Sequence, residues 1–151
     1  MTGYTLTIPG DPVAKGRPRV FHGHGVTPRK TVLAENRIYA AFTTKYPDAQ
    51  PLTGPIRIDC TFHMSRQGKP DWDNLAKLAT DALNGVAYVD DAQIVSAHVE
   101  KIMPDRRVPG AKPGVMRHRK PGDPLTYLGQ EYEAHISLTI TAMQTQQGEQ
   151  Q

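Results

Sequence analysis

Residues 70–77 read Pro-Asp-Trp-Asp-Asn-Leu-Ala-Lys, and a second acidic pair, Asp90-Asp91, follows about one helix later. Asp71 and Asp73 are two residues apart, so in an extended segment their carboxylates point to the same side. Lys77 lies four residues beyond Asp73 and returns to that face if a helix starts at Asp73 or Asn74. Carboxylates gathered beside one amine suit a hard divalent cation, and a cation so held suits chemistry on phosphates.

Each of these residues also has a plainer reading. Asp73 could simply cap a helix, because Asp accepts hydrogen bonds from the free N–H groups of a first turn. Asp71 is not needed for capping, and a second carboxylate beside the first is repulsive unless a cation offsets it. Asp90-Asp91 taken alone is a turn pair, and in an extended pair only one of the two faces a given site. Lys77 alone is a solvated helix lysine. Trp72 points away from the two aspartates and is expected to pack in the core, with base stacking as the alternative. Asp81 reads as a surface or structural carboxylate, and His22 and His24 read as histidines of a flexible loop. The two acidic clusters together are more specific than either, since the helix between them can bring its ends back against one sheet.

The elements that must position these residues follow from hydrophobic periodicity. Tyr4–Ile8 alternates and predicts a strand. The Gly- and Pro-rich stretch to Pro28 predicts an irregular loop. A helix is expected from Arg29 to Tyr46, with Val32, Ile38, Tyr39, Phe42 and Tyr46 as its apolar stripe. Ile56–Met64 is apolar at every even position and predicts the clearest strand. The second helix is expected over Asp73–Asn84, with Leu75, Leu78, Ala79, Ala82 and Leu83 on one face and Gly85 as its stop. A long strand over Gln93–Met103 puts Val95, Ala97, Val99 and Lys101 on one side. Residues 104–130 carry five prolines and four glycines and predict an ordered excursion at best. Tyr132–Ile140 alternates and predicts the last strand. The order strand-helix-strand-helix-strand-strand implies an α+β fold: one two-layer domain over residues 1–142, a mixed sheet with two main helices packed on it. Residues 143–151 form a Gln-rich tail expected to be disordered.

Composition narrows the partners. At 151 residues the chain is most simply one domain. Its single cysteine, Cys60, excludes an internal disulfide, and no Cys/His zinc pattern exists. No G-x-S-x-G, Walker A or G-x-G-x-x-G pattern is present. Met1–Ile8 lacks the marks of a signal peptide and no stretch approaches a membrane span, so no membrane partner and a cytoplasmic setting are expected. The net charge of +3 is unevenly placed. Lys15, Arg17, Arg19, Arg29 and Lys30 fall in residues 15–30 with no acid among them. Arg106, Arg107, Lys112, Arg117, Arg119 and Lys120 outnumber Asp105 and Asp123 in residues 104–124. Two basic loops around an acidic centre suit a polyanion held by its backbone.

The run Pro70–Lys77, followed by Asp81-Ala82-Leu83-Asn84-Gly85 and Val89-Asp90-Asp91-Ala92-Gln93-Ile94-Val95, resembles the RusA family of Holliday junction resolvases. Four family features match in order: Asp-x-Asp-Asn, a lysine four residues after the second Asp, a helix with Asp-Ala-Leu, and Asp-Asp-x-Gln. Lys15-Gly16-Arg17-Pro18-Arg19 is similar to a loop in phage-type relatives. The resemblance implies a homodimeric endonuclease, dependent on Mg²⁺ with Mn²⁺ as a substitute, that cuts four-way and other branched DNA during recombination and repair in a bacterial or phage-infected cell. It implies Asp71, Asp73 and Asp91 as catalytic, metal-binding carboxylates, with Asp90 the less favoured of its pair, and Lys77 as the catalytic amine. The DNA contacts expected are Lys15, Arg17, Arg19, Arg29, Lys30, Lys69, Arg106, Arg107, Arg117, Arg119 and Lys120. The 104–130 excursion is longer than in compact members. Rival readings are a branched-DNA-binding protein that does not cut, and a metal nuclease of flaps, single strands or RNA.

Overall fold

Strict alternation builds the centre of the molecule. The computed structural model describes residues 2–16 and 19–144, apart from the side chains of Arg19 and Phe21. Strand β1 (Gly3–Pro9) is followed by a hairpin of β2 (Arg19–Phe21) and β3 (His24–Val26), then helix α1 (Arg29–Lys45) and strand β4 (Ile56–His63). Helix α2 (Trp72–Leu83) and a 3₁₀ turn (Asp91–Gln93) lead into β5 (Ile94–Ile102). Two small hairpins, β6 (Arg107–Pro109) with β7 (Met116–His118) and β8 (Thr126–Tyr127) with β9 (Gln130–Glu131), precede the last strand, β10 (His135–Ala142).

The main sheet has the order β1-β10-β4-β5, with β4 and β5 parallel and the other pairs antiparallel. The fold is therefore α+β, with a mixed sheet and two helices. Register puts Leu6, Leu138, Cys60 and Val99 in one row across the sheet. Leu6, Leu138 and Cys60 are almost fully buried, as are Ile8, Ile136 and Phe62 in a neighbouring row. These rows form the core with Ile38 and Phe42 of α1 and Leu75, Leu78 and Leu83 of α2. Trimming any one of these large side chains to Ala removes roughly 2–5 kcal/mol. The opposite face is polar, with Thr5, Thr139, Asp59 and His98 in one row and Thr7, Ser137, Thr61 and Glu100 in another.

Several details depart from the sequence pattern for physical reasons. The stretch before Pro28 contains the β2–β3 hairpin. Its two turn residues, His22 and Gly23, have φ of 50° and 80°, the left-handed pair a tight two-residue hairpin requires. In α1 the buried face is Thr31, Ala34, Ile38 and Phe42, while Val32 and Tyr39 stand 41% and 48% exposed. Thr31 replaces Val32 inside because its hydroxyl accepts the Gly16 N–H at 2.9 Å. In β5 a bulge opposite Ile56/Arg57 turns Val95 outward, 63% exposed, so that Ile94 packs on the core instead. Residues 104–130 are ordered as hairpins rather than loop. Tyr132 does not begin β10. Its N–H bonds Leu125 and its hydroxyl donates to the Met64 carbonyl, closing the β8–β9 hairpin onto the sheet. Of the tail expected over residues 143–151, Met143 donates its N–H to the Pro55 carbonyl at 2.9 Å, and residues 145–151 lie outside the described residues.

On the polar face His63 stacks on His135, with ring centroids 3.8 Å apart and planes 13° apart. The His63 Nδ1 is buried with no hydrogen-bond partner. Burial, and then the neighbouring His135, hold the His63 pKa below its usual value. A histidine kept neutral in the folded state stabilises the fold fully above the unfolded pKa of about 6.5, and that contribution is lost as pH falls below it. The melting temperature should therefore drop between pH 7.5 and pH 5, above the range where carboxylates titrate. His63→Phe should remove much of that drop, and equal pH slopes for the two proteins would contradict this account.

Candidate metal and nucleic-acid site

Lys69 and Pro70, joined by a cis peptide, bring the chain into α2. Asp71 is the N-cap residue, extended at ψ 152°, and its carboxylate makes no capping hydrogen bond. Only its carbonyl serves the helix, accepting the Leu75 N–H at 3.2 Å. Asp73 sits in the first turn, where the helix dipole favours negative charge, and its Oδ1 accepts the Asn74 N–H at 2.9 Å. Both carboxylates are exposed, and Lys77 is exposed one turn further on. Trp72 does not pack in the core: it is 58% exposed. A helical side chain leans toward the helix N-terminus, and Trp72 is the first residue of α2.

The second acidic pair divides its labour. The Asp90 carboxylate caps the 3₁₀ turn, accepting the Ala92 N–H, while Gln93 Oε1 accepts the Asp90 N–H at 2.8 Å. The Gln93 amide then donates to the Leu52 and Gly54 carbonyls at 2.9 and 2.8 Å, tying the turn to the start of β4. Asp91 is left exposed. Tyr88, fully buried, donates its hydroxyl to the Thr80 carbonyl of α2. Burial and then the charge of Asp91 push its pKa up. Tyr88 bridges both Asn84, at the end of α2, and Leu52, to which Gln93 is bonded, so the turn that carries Asp91 lies at the C-terminal end of that helix.

The two clusters thus sit at opposite ends of α2, whose 12 residues span about 18 Å. Asp71 and Asp73 stand together at one end, and Asp91 stands at the other. The helix lies against the sheet as expected, but it separates the clusters instead of folding them together. Among the described residues no group of three or more His, Cys, Asp or Glu side chains could hold a metal ion. The donors fit a hard cation in kind, being carboxylate oxygens with Asp71 free of capping duty, but one chain gathers too few of them.

The expected DNA contacts separate into structural and open cations. Lys15 is a structural clamp, with its Nζ 3.0 Å from Glu35 on α1 and 3.2 Å from Asp81 on α2. Partial burial works against its charge, but these two carboxylates outweigh it and its pKa is raised. Arg117 is held by Asp123 through two bonds of 2.8 and 2.9 Å. Lys30 and Lys69 line a cleft of about 500 Å³ that ends at Pro70, beside the first acidic cluster. Arg106, Arg107 and Arg119 line a second cleft of about 700 Å³. Arg29 and Lys120 are exposed. Arg19 lies on β2, and Arg17 falls outside the described residues. Arg66 lines both clefts, and the sequence analysis missed it. Its only signal was its place in the polar connection just ahead of Pro70. Cys60 is no nucleophile, since burial pushes its thiol up to about 12.

The fold is a two-helix mixed sheet with open carboxylates at a helix N-terminus beside arginine- and lysine-lined clefts. The chain belongs to the RusA family, the Holliday junction resolvases of the sequence resemblance: the family described as Endodeoxyribonuclease RusA matches residues 9–116. Members of that family generally depend on a divalent metal and bind branched DNA. The chain is also similar to "Uncharacterized protein YqaN" of Bacillus subtilis (strain 168), 30% identical over 121 residues that cover 64% of this chain and 84% of the relative. No helix among the described residues is long and apolar enough to cross a membrane.

Lys15→Ala should lower stability by about 1–2 kcal/mol, because it leaves Glu35 and Asp81 facing each other without a cation. Denaturant unfolding measures this. A variant of wild-type stability with weakened DNA binding would instead make Lys15 a DNA contact.

Proposed function

We propose that this protein is a Mg²⁺-dependent, homodimeric endonuclease that resolves four-way DNA junctions by paired symmetric nicks, acting in the cytoplasm during recombination and repair. The observation that carries the reading is the Asp-Trp-Asp-Asn run at the exposed N-terminus of α2, beside a basic cleft, in a chain of the RusA family. Asp71, Asp73 and Asp91 are the residues to hold the metal. A bound Mg²⁺, or Mn²⁺ in its place, supplies Lewis acidity toward the scissile phosphate and toward water. Lys77 stabilises charge developing on the phosphate or positions the attacking water. The clefts track backbone phosphates, and the exposed ring of Trp72 offers a surface for an unpaired base.

A dimer supplies what one chain lacks. Strand β5, nine residues long, is an edge of the main sheet, and among the described residues its one neighbour is β4. Two β5 edges paired antiparallel about a two-fold would set the start of one strand beside the end of the other. The end of β5 adjoins the approach to Asp71, since Lys101 Nζ donates to the Gly68 carbonyl at 2.7 Å. Asp91 of one protomer would then approach Asp71 and Asp73 of its partner, giving two composite sites and two nicks.

Asp71→Asn or Asp73→Asn should lower Mg²⁺-dependent junction cutting by about a hundredfold or more while sparing junction binding. Near-normal cutting by either variant would remove the assignment. Mixing inactive Asp73→Asn and Asp91→Asn proteins tests the composite site. The mixed dimer keeps one intact set, so single nicks should return, whereas sites within one chain would stay dead. Equal cutting of junction, flap, duplex and RNA by the wild type would overturn junction resolution.

A further inference from the structure

We propose that the pocket between residues 66–68 and the β6–β7 hairpin is a built site for a DNA backbone phosphate that is not the one cut. The proposal rests on the nuclease reading and deepens it, giving one of the two clefts a single ligand, a non-scissile phosphate, and adding Arg66 and His118 to its walls. Arg66, Arg106, Arg107, His118 and Arg119 line this space of about 700 Å³. Arginine forks match the oxygens of a phosphate diester, and several converging on one concavity repel each other unless an anion sits between them.

Among the described residues the acids nearby form no ion pair with these four arginines, so one carboxylate, Asp105, lines the pocket against four guanidinium groups. Asp105, the acid on the pocket wall, is committed elsewhere. Its Oδ1 accepts the Leu128 N–H at 3.0 Å, and its Oδ2 accepts the Thr126 hydroxyl and the Gly129 N–H at 2.9 and 3.0 Å. Those bonds hold its carboxyl below the usual range. Asp123 is occupied by Arg117 and by the Lys120 N–H. Both carboxylates act as internal scaffolding for the hairpins, and Arg66, Arg106 and Arg107 have no carboxylate partner among the described residues.

The Arg119 Nη2 donates to the Asp123 carbonyl at 2.9 Å, but its Nε is buried with no acceptor. A buried N–H without an acceptor is unfavourable. The walls are also fixed in advance. Arg107 pairs with His118 across the hairpin, and the Arg119 N–H donates to the Arg106 carbonyl at 2.9 Å. Gln67 donates to the Pro104 carbonyl, joining the two sides of the pocket.

The location suits a second contact on the same strand or arm. Gly68 is three residues before Asp71, at most about 10 Å of chain. The family match ends at residue 116, so His118 and Arg119 lie beyond it. The subsite is thus built partly from sequence outside the matched region. Its contacts would fix where DNA lies relative to Asp71 without touching the reacting atoms.

The test is junction binding in EDTA, where no cutting is needed, over a range of salt. Arg106→Ala with Arg107→Ala should weaken the Kd about tenfold and flatten the slope of log Kd against log salt by about 1–2. Arg66→Ala, on the opposite wall, should flatten it by about 1. All three side chains are exposed, so circular dichroism should match the wild type. Unchanged slopes in both variants overturn the proposal, as does lost affinity at unchanged slope, because a phosphate contact must release counterions. A wild type that binds junctions but never cuts them with Mg²⁺ would remove the nuclease reading alone. A cutting wild type whose variants keep its salt slope would remove the pocket alone.

Discussion

The packing of α2 along the parallel β4–β5 pair is the constraint on which the rest of the molecule depends. Parallel strands cannot be joined by a tight turn, and α2 is the crossover that joins these two. Its apolar stripe, Leu75, Leu78, Ala79, Ala82 and Leu83, sinks into the core. Its ends are thereby fixed at opposite ends of the strands. The entry places Asp71 and Asp73. The exit, held by Tyr88 against Thr80 and by Gln93 against Leu52 and Gly54, places Asp91. The separation of the acidic clusters is a consequence of topology and does not depend on side-chain choice.

Charge in this chain falls into two kinds that composition cannot tell apart. Glu35 and Asp81 meet Lys15, Asp90 caps a turn, and Asp105 and Asp123 organise hairpins. Asp71 and Asp91 remain outside such arrangements at the surface. The cations divide likewise, with Lys15 and Arg117 occupied and Arg66, Arg106 and Arg107 open. A net charge of +3 therefore understates the field a polyanion meets at the clefts.

Much of the architecture was legible because burial imposes period. β4 alternates without exception, and the stripe of α2 keeps helical spacing from Leu75 to Leu83, so both elements and their inner faces could be read directly. Reading failed where a local bond or bulge overrode period. Thr31 went inside because a backbone N–H waited there. Val95 went outside because one extra residue reset the strand, and Trp72 went outside because it is the first residue of its helix. At the candidate site, residue types and order were visible, but the distance between clusters was not. Spacing along a chain does not say whether a helix folds two groups together or holds them apart. Arg66 was missed for a related reason: its importance comes from the excursion that closes over it, forty residues later.

The excursion from Asp105 to Glu131 is fastened to the body in an unusual currency. Past Pro104, Val108 is its one buried side chain among the described residues, and Val108 does not join the main core. Carboxylate-to-backbone bonds and short ladders hold the rest. Such a segment hides little apolar surface, so its shape depends on its polar bonds far more than that of the sheet beneath it does. Its amides would exchange with solvent far sooner than those of β4 or β10. The cations it presents are therefore placed by backbone ladders and carboxylates, and a substitution in the core would reach them only indirectly.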